Sequence, residues 1–115
     1  MLVHYSLNYG FPPEIKQTIQ IHVEEGTNFL DIMRLAQEIN PKYRFWLSEN
    51  REVPAVYSIG EMPNDAEKGM YWALYKTSRN SNETANEKHW VSYIGGVRQL
   101  ILADGDKVLF WYRPL

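Results

Sequence analysis

The stretch Asp104-Gly105-Asp106-Lys107-Val108-Leu109-Phe110-Trp111-Tyr112 decides the fold of this chain. Asp104-Gly105-Asp106 is a strong turn signal, because glycine adopts positive φ without steric cost and aspartate bonds its own backbone. The residues from Val108 to Tyr112 are all apolar or aromatic, whereas a half-buried strand would alternate apolar and polar residues. The run therefore predicts a central strand covered on both faces, and it leaves open a covering on one face that another molecule supplies.

The composition is that of an ordinary globular domain, and it argues against several functions. The 115 residues suit a single domain, 1–115, with one core. The net charge is −2 and no basic cluster occurs, so no nucleic-acid partner is expected. No apolar run approaches the ~20 residues of a membrane span, and the start Met1–Tyr5 lacks the features of a signal peptide. Cysteine is absent, which excludes thiol catalysis, disulfides and cysteine–zinc sites.

Upstream of the last strand, the periodicity predicts a hairpin followed by one helix. Apolar and polar residues alternate over Val3–Leu7 and again over Ile19–Val23, which indicates two amphipathic strands paired as a hairpin. Thr27 or Asn28 can cap a helix that ends at Asn40-Pro41. One broad apolar face of this helix is predicted to be core: Phe29, Ile32, Met33, Leu35, Ala36 and Ile39.

Further short strands are predicted at 43–47, 53–59 and 71–75. Pro54 lacks an N–H and so marks an edge at the start of the second of these. The polar segment 77–88 is typical of a long loop, and its Asn82-Glu83-Thr84 is a glycosylation acceptor if the chain is secreted. The order indicates an α+β, β-grasp-like domain, in which a mixed sheet with an N-terminal hairpin carries one main helix on one face.

The sequence shows little catalytic chemistry. Ser58 lacks the flanking glycines of a nucleophile elbow, and Gly95-Gly96 is too short for a phosphate loop. His4 and His22 fall on the polar faces of their strands without a third ligand, so no metal site is predicted. Aromatic residues make up 14% of the chain and indicate either a dense core or a binding face. These observations favour a binding module over an enzyme.

Segments spread over nearly the full length carry a resemblance to a known family. They are Gly26–Met33, Asn40–Phe45, Val56–Ile59, Tyr71–Leu74, Gly96-Val97 and Asp104–Val108. In order and approximate spacing they resemble the C-terminal β-domain of the cobalamin carriers, the family of transcobalamin, intrinsic factor and haptocorrin. In that family, a large helical domain and this small domain hold the corrin ring between them.

The resemblance implies a non-enzymatic, secreted domain that binds cobalamin or another corrinoid and covers one face of its ring. A helical domain or a second copy of the chain would complete the site. Carried over by position, the ligand contacts fall on two strands. The first provides Val53, Pro54, Ala55 and Val56, and the second provides Trp72, Ala73, Leu74 and Tyr75.

Two departures from the family pattern keep an alternative open. The sequence contains no large helical domain, and half of a clamp buries less ligand. Segment 77–90 is longer than the family hairpin by about ten residues, so the carry-over stops near Tyr75. His89 in this segment is a candidate cobalt ligand, with an exposed loop histidine as the competing interpretation. The alternative function is a protein- or glycan-interaction module of the same fold.

Trp72 is open to two interpretations, ligand contact and core packing. Ligand contact requires that the sheet leave a tryptophan-bearing side uncovered by the helix, so that a flat ligand can lie against it.

Overall fold

The structure of the chain, a computed structural model, describes residues 1–10, 15–48, 55–77, 91–93 and 96–114. The elements in chain order are β1 (Leu2–Tyr9), β2 (Ile15–His22), α1 (Phe29–Ile39), a 3-10 helix (Pro41–Tyr43), β3 (Phe45–Ser48), β4 (Ala55–Ile59), β5 (Met62–Pro63), β6 (Met70–Thr77), β7 (Val91–Ser92) and β8 (Lys107–Pro114). Among the described residues, no helix is long and apolar enough to cross a lipid bilayer.

The strands form two sheets. The larger has five strands in the order β2-β1-β8-β6-β7, and the smaller has three in the order β3-β4-β5. β1 pairs antiparallel with β2 and parallel with β8, and β6 pairs antiparallel with β8, so the larger sheet is mixed. The predicted α+β architecture, with its N-terminal hairpin and central last strand, is therefore confirmed.

β8 is buried on both faces, as its unbroken apolar run predicts. Phe110 faces α1 and stacks on Phe29, with ring centroids 6.0 Å apart. Leu109 and Trp111 alternate to the opposite face, where they are 0% and 2% exposed. Because the single chain already buries both faces of β8, the idea that another molecule supplies one of the coverings is wrong for this strand.

The helix α1 begins and ends where local signals predict. Asn28 is the N-cap, and its Oδ1 accepts a 2.9 Å hydrogen bond from the Asp31 N–H. The helix ends before Pro41, which has no N–H and begins a 3-10 helix. The predicted core face is too wide, however, since Leu35 and Ile39 are 39% and 63% exposed. Leu35 lies at the flank of the apolar face and Ile39 in the last turn of the helix. The buried residues of α1 are Phe29, Leu30, Ile32, Met33 and Ala36.

The segment predicted as a strand at 43–47 divides into two different structures. Tyr43 closes the 3-10 helix, because the Asn40 side chain accepts the Lys42 N–H and sets up that turn. The strand β3 begins only at Phe45. Tyr43 is buried, and its hydroxyl donates a 3.3 Å hydrogen bond to the carbonyl of Tyr5 in β1. This contact ties the end of the helical segment to the larger sheet.

Candidate functional site

The two strands predicted to contact ligand lie in different sheets, and Asn64 joins them. β4 belongs to the three-stranded sheet and β6 to the five-stranded sheet. The Asn64 N–H donates to the Tyr57 carbonyl of β4 at 2.8 Å. Its side-chain Oδ1 accepts the Trp72 N–H of β6 at 2.9 Å. One residue between the strands is therefore hydrogen-bonded to both sheets.

Two aromatic side chains hold β5 against the larger sheet. The indole Nε1 of Trp72 donates to the Met62 carbonyl at 2.7 Å, and the Tyr112 hydroxyl donates to the Pro63 carbonyl at 2.8 Å. Burial, and then the charge of Asp65, raise the pKa of Tyr112, so this hydroxyl remains a neutral donor. Both carbonyls of β5 are engaged and Pro63 has no N–H, so this edge offers no template for an added strand.

Two clefts flank β5 and share Pro63. The larger has a volume of about 520 Å³, and its lining residues are Met62, Pro63, Asn64, Asp65, Lys68, Met70 and Tyr112. The smaller has a volume of about 330 Å³, and its lining residues are Trp46, Tyr57, Ser58, Glu61 and Pro63. Both volumes lie in the lower half of the range that is typical of small-molecule binding sites.

The walls of these clefts expose apolar and aromatic surface beside charged groups. Tyr57 is 43% exposed and Met62 is 39% exposed. Trp46 is half-buried, with the Arg44 guanidinium 4.9 Å from its ring centre. Glu61 and Lys68 are exposed at the rims. Adjacent exposed apolar side chains with a polar border are typical of a ligand or partner surface.

Trp72 is a core residue in this structure. It is 7% exposed, and its ring packs against Tyr9, Phe110 and Tyr112 at centroid distances of 5.3, 6.4 and 5.0 Å. Because Phe110 faces α1, Trp72 lies on the helix side of the sheet. The prediction that the sheet leaves a Trp72-bearing side uncovered is therefore wrong.

The other residues carried over from the family divide by burial. Val56 and Leu74 are buried, whereas Ala55, Ala73 and Tyr75 are half-exposed and present side-chain atoms to solvent. The ligand contacts carried over to the eight positions 53–56 and 72–75 stay a prediction. Val53, Pro54, Asn82 and His89 lie outside the described residues.

Ala73 and Tyr75 point to the face of the sheet away from the helix, which also carries Trp111. Ala73 pairs with Trp111 across the ladder, and the Tyr75 ring lies 5.9 Å from the Trp111 ring. The Trp111 indole donates to the Gly10 carbonyl at 2.6 Å, and the Arg113 guanidinium lies 4.4 Å from its ring centre. Trp111 is buried as well, so neither of these tryptophans forms an open platform.

The cleft residues are the ones that sequence reasoning missed. The sequence predicts a polar connection over 60–69 that holds Pro63, Asn64 and Asp65, whereas in the structure Pro63 belongs to β5, Asp65 bridges Met70 and the turn lies at 66–69. Nothing in the local pattern shows that Tyr112 reaches Pro63. Among the described residues, no group of three or more His, Cys, Asp or Glu side chains is placed to hold a metal ion.

The sequence matches no protein-family profile and no curated protein. Solved structures do resemble the chain. One is haptocorrin in complex with Cbi, with a TM-score of 0.77 and 18% identity over 97% of this chain. Another is a protein of Ruminococcus gnavus ATCC 29149 named as a candidate metal-binding protein, with a TM-score of 0.64 and 10% identity over 99% of this chain.

The two neighbours differ in how much of their own length is matched. The chain spans 24% of the haptocorrin chain, but 97% of the R. gnavus protein. At these identities the likeness concerns the fold. The sequence-based resemblance to a cobalamin-carrier β-domain is confirmed at that level: this chain has the fold that haptocorrin contains in about a quarter of its length.

Proposed function

We propose that this chain is a non-enzymatic corrinoid-binding domain that covers part of one face of the ring. The observation that carries the proposal is the match of 97% of the chain to haptocorrin, whose solved complex holds cobinamide. The paired clefts at β5 supply a surface of suitable character, because a corrin is a broad plate with an apolar body and polar edges. We assign the edge of that plate to these clefts.

Affinity should be modest for the chain alone. The larger cleft, of about 520 Å³, holds only part of such a ligand. About three quarters of the haptocorrin chain has no counterpart here, since the match covers 24% of it. Less buried ligand surface means weaker binding, and a helical domain or a second copy of the chain would supply the missing face.

Titration with hydroxocobalamin and with cobinamide tests the proposal. We expect saturable changes in corrin absorbance and in tryptophan fluorescence at micromolar to millimolar ligand. Trp46 is half-buried at the smaller cleft, so Trp46→Phe should reduce the fluorescence change while the absorbance change remains. Spectra that are unaltered by millimolar corrinoid would exclude the function.

Three matched variants locate the site. Tyr57→Asp places a charge at the smaller cleft, Ala73→Asp places one on the predicted contact strand β6, and Leu35→Asp places one on the exposed flank of α1. All three positions are exposed or half-exposed, so the variants should fold. A loss of corrinoid affinity confined to Tyr57→Asp supports the clefts, and a loss confined to Ala73→Asp supports the carried-over strand instead. Equal losses in all three variants would refute a defined site.

The carried-over contacts outside the described residues are proposed separately. Val53→Asp and Pro54→Ala test the start of the first strand by the same titration. His89→Ala tests a cobalt ligand, which would shift the absorbance bands of bound hydroxocobalamin. A carrier-like role also implies secretion and glycosylation at Asn82, and a glycosidase-sensitive mass increase after expression through a secretory pathway would support the use of this acceptor.

The second candidate function is a protein- or glycan-interaction module of the same fold. The R. gnavus neighbour bears on it, because the fold makes up 97% of that chain and so occurs there without the longer chain that haptocorrin has. The same exposed Tyr57 and Met62 would then meet a macromolecule. This function predicts a partner whose capture is lost in Tyr57→Ala at unchanged melting temperature, together with no spectral response to corrinoids.

A further inference from the structure

The larger cleft contains polar atoms that the described part of the chain leaves unpaired. Asp65 Oδ1 accepts the N–H groups of Glu67 and Lys68 at 3.1 and 3.3 Å, which leaves its Oδ2 for another donor. Asn64 Oδ1 is engaged by the Trp72 N–H, which leaves its amide NH₂ as a donor. The exposed ammonium of Lys68 takes part in neither ion pair found among the described residues.

The same cleft also has apolar lining. Met62 and Met70 contribute thioether side chains, and Tyr112 contributes its ring, because its hydroxyl is already bonded to the Pro63 carbonyl. The charges of Asp65 and Lys68 cancel. The cleft thus combines one charged acceptor, two donors and an apolar wall, without a net charge that would select an ion.

We propose that this cleft is a subsite for a primary carboxamide carried by an apolar ligand. A carboxamide has an NH₂ donor and a carbonyl acceptor in one plane, so it can donate to the Asp65 carboxylate while it accepts from Asn64 or Lys68. A carboxylate would accept from the same donors, but the negative charge of Asp65 would repel it. The inference rests on the proposed function and deepens it, because corrinoids carry several carboxamide-ended side chains around an apolar ring.

The test compares cobalamin with derivatives in which one peripheral carboxamide has been hydrolysed to a carboxylate. With the unaltered chain at neutral pH, at least one such acid should bind on the order of tenfold more weakly than cobalamin, because a charge-assisted hydrogen bond is replaced by repulsion. In Asp65→Asn, this disadvantage of the acid should disappear or reverse, because the repelling charge is gone while the Lys68 ammonium remains.

The substitution is chosen so that the turn survives. Asp65→Asn keeps an Oδ1 acceptor for the N–H groups of Glu67 and Lys68. The matched control is Asp104→Asn, since Asp104 Oδ1 also accepts a backbone N–H, that of Leu2 at 2.6 Å, and lies outside the cleft. The control should keep the full tenfold discrimination, and both variants should keep the melting temperature to within a few degrees.

The outcomes separate the two proposals. If corrinoids bind but every acid binds as tightly as cobalamin, the carboxamide subsite is refuted while corrinoid binding stands. The same conclusion follows if Asp65→Asn leaves the discrimination unchanged, or if Asp104→Asn abolishes it equally. If no corrinoid alters the spectra of the unaltered chain, the proposed function itself fails, and the subsite fails with it.

Discussion

The indole Nε1 of Trp72 lies 2.7 Å from the carbonyl oxygen of Met62, and this hydrogen bond joins the five-stranded sheet to the edge of the three-stranded sheet. A buried indole N–H needs a partner, and a main-chain carbonyl of β5 provides it here. The contact explains why a core tryptophan matters for the clefts: Trp72 positions β5, and β5 separates the two clefts.

Removal of the indole N–H should loosen this junction. We expect Trp72→Phe to lower the free energy of unfolding by ~1–3 kcal/mol, because it leaves the Met62 carbonyl without its donor. Trp72→Ala should cost ~3–5 kcal/mol, because it also creates a cavity in the core. Urea denaturation followed by circular dichroism measures both. The control is Trp46→Phe at a half-buried position, and a loss there as large as that in Trp72→Phe would contradict the assignment.

Two core tyrosines with touching rings should respond in opposite ways when the hydroxyl is removed. Within the described residues, the Tyr5 hydroxyl is buried and has no hydrogen-bond partner, whereas the Tyr43 hydroxyl donates to the Tyr5 carbonyl. Tyr5→Phe should therefore be neutral or stabilising, and Tyr43→Phe should cost ~1 kcal/mol. Denaturant midpoints of the two variants provide the measurement. A larger loss in Tyr5→Phe than in Tyr43→Phe would show that the Tyr5 hydroxyl has an unseen partner.

Stability should fall at alkaline pH. Burial raises the pKa values of Tyr5, Tyr9 and Tyr43, and neighbouring tyrosines raise those of Tyr5 and Tyr43 further. The unfolded chain, with tyrosine pKa values of about 10, loses these protons first as pH rises. The stabilisation is therefore complete below about pH 10 and is lost progressively above it.

Urea midpoints measured between pH 8 and pH 12 check this dependence. We expect a level region followed by a decline, and the decline should be shallower in Tyr43→Phe. The exposed-site variant Tyr57→Phe serves as the control and should retain the decline of the unaltered chain. Stability that stays constant to pH 12 would contradict the burial of these hydroxyls.

Two glycines with positive φ should differ in their tolerance of a methyl group. Gly60, with φ +58°, turns the chain from β4 into β5, and an added Cβ would lie 2.7 Å from the Lys42 carbonyl oxygen. Gly26, with φ +89°, has open space at that position. Gly26→Ala should cost ~1 kcal/mol from backbone strain, and Gly60→Ala should cost distinctly more because strain and a backbone clash add. Thermal denaturation of the pair measures the difference, and equal losses would show that the Lys42 backbone yields.

Much of the fold can be predicted because its signals are local. The cap at Asn28 and the stop at Pro41 bracket α1, and the alternation in β1 and β2 indicates the hairpin. The sequence does not predict how far burial extends around α1. Leu35 and Ile39 have the right spacing for the core face but are 39% and 63% exposed, and periodicity does not report how wide a strip of the helix its neighbours cover.

The candidate site is less predictable, because it is built from long-range contacts. β5 has only two residues, one of them Pro63, so it carries no strand periodicity. Its position depends on Tyr112 and Trp72, which come from other strands. The sequence pattern indicates the predicted contact strands but not the cleft residues. Experiment therefore has to compare the half-exposed residues of those strands with the residues of the clefts.

By itself, the sequence determined the hairpin, the helix and the central place of β8, because turn residues, caps and apolar runs act through near neighbours in the chain. Only the tertiary structure decided that Trp72 is buried on the helix side and that β5 divides two open clefts. Those outcomes depend on which backbone carbonyls the distant indole of Trp72 and hydroxyl of Tyr112 reach, and such pairings arise only when the two sheets pack.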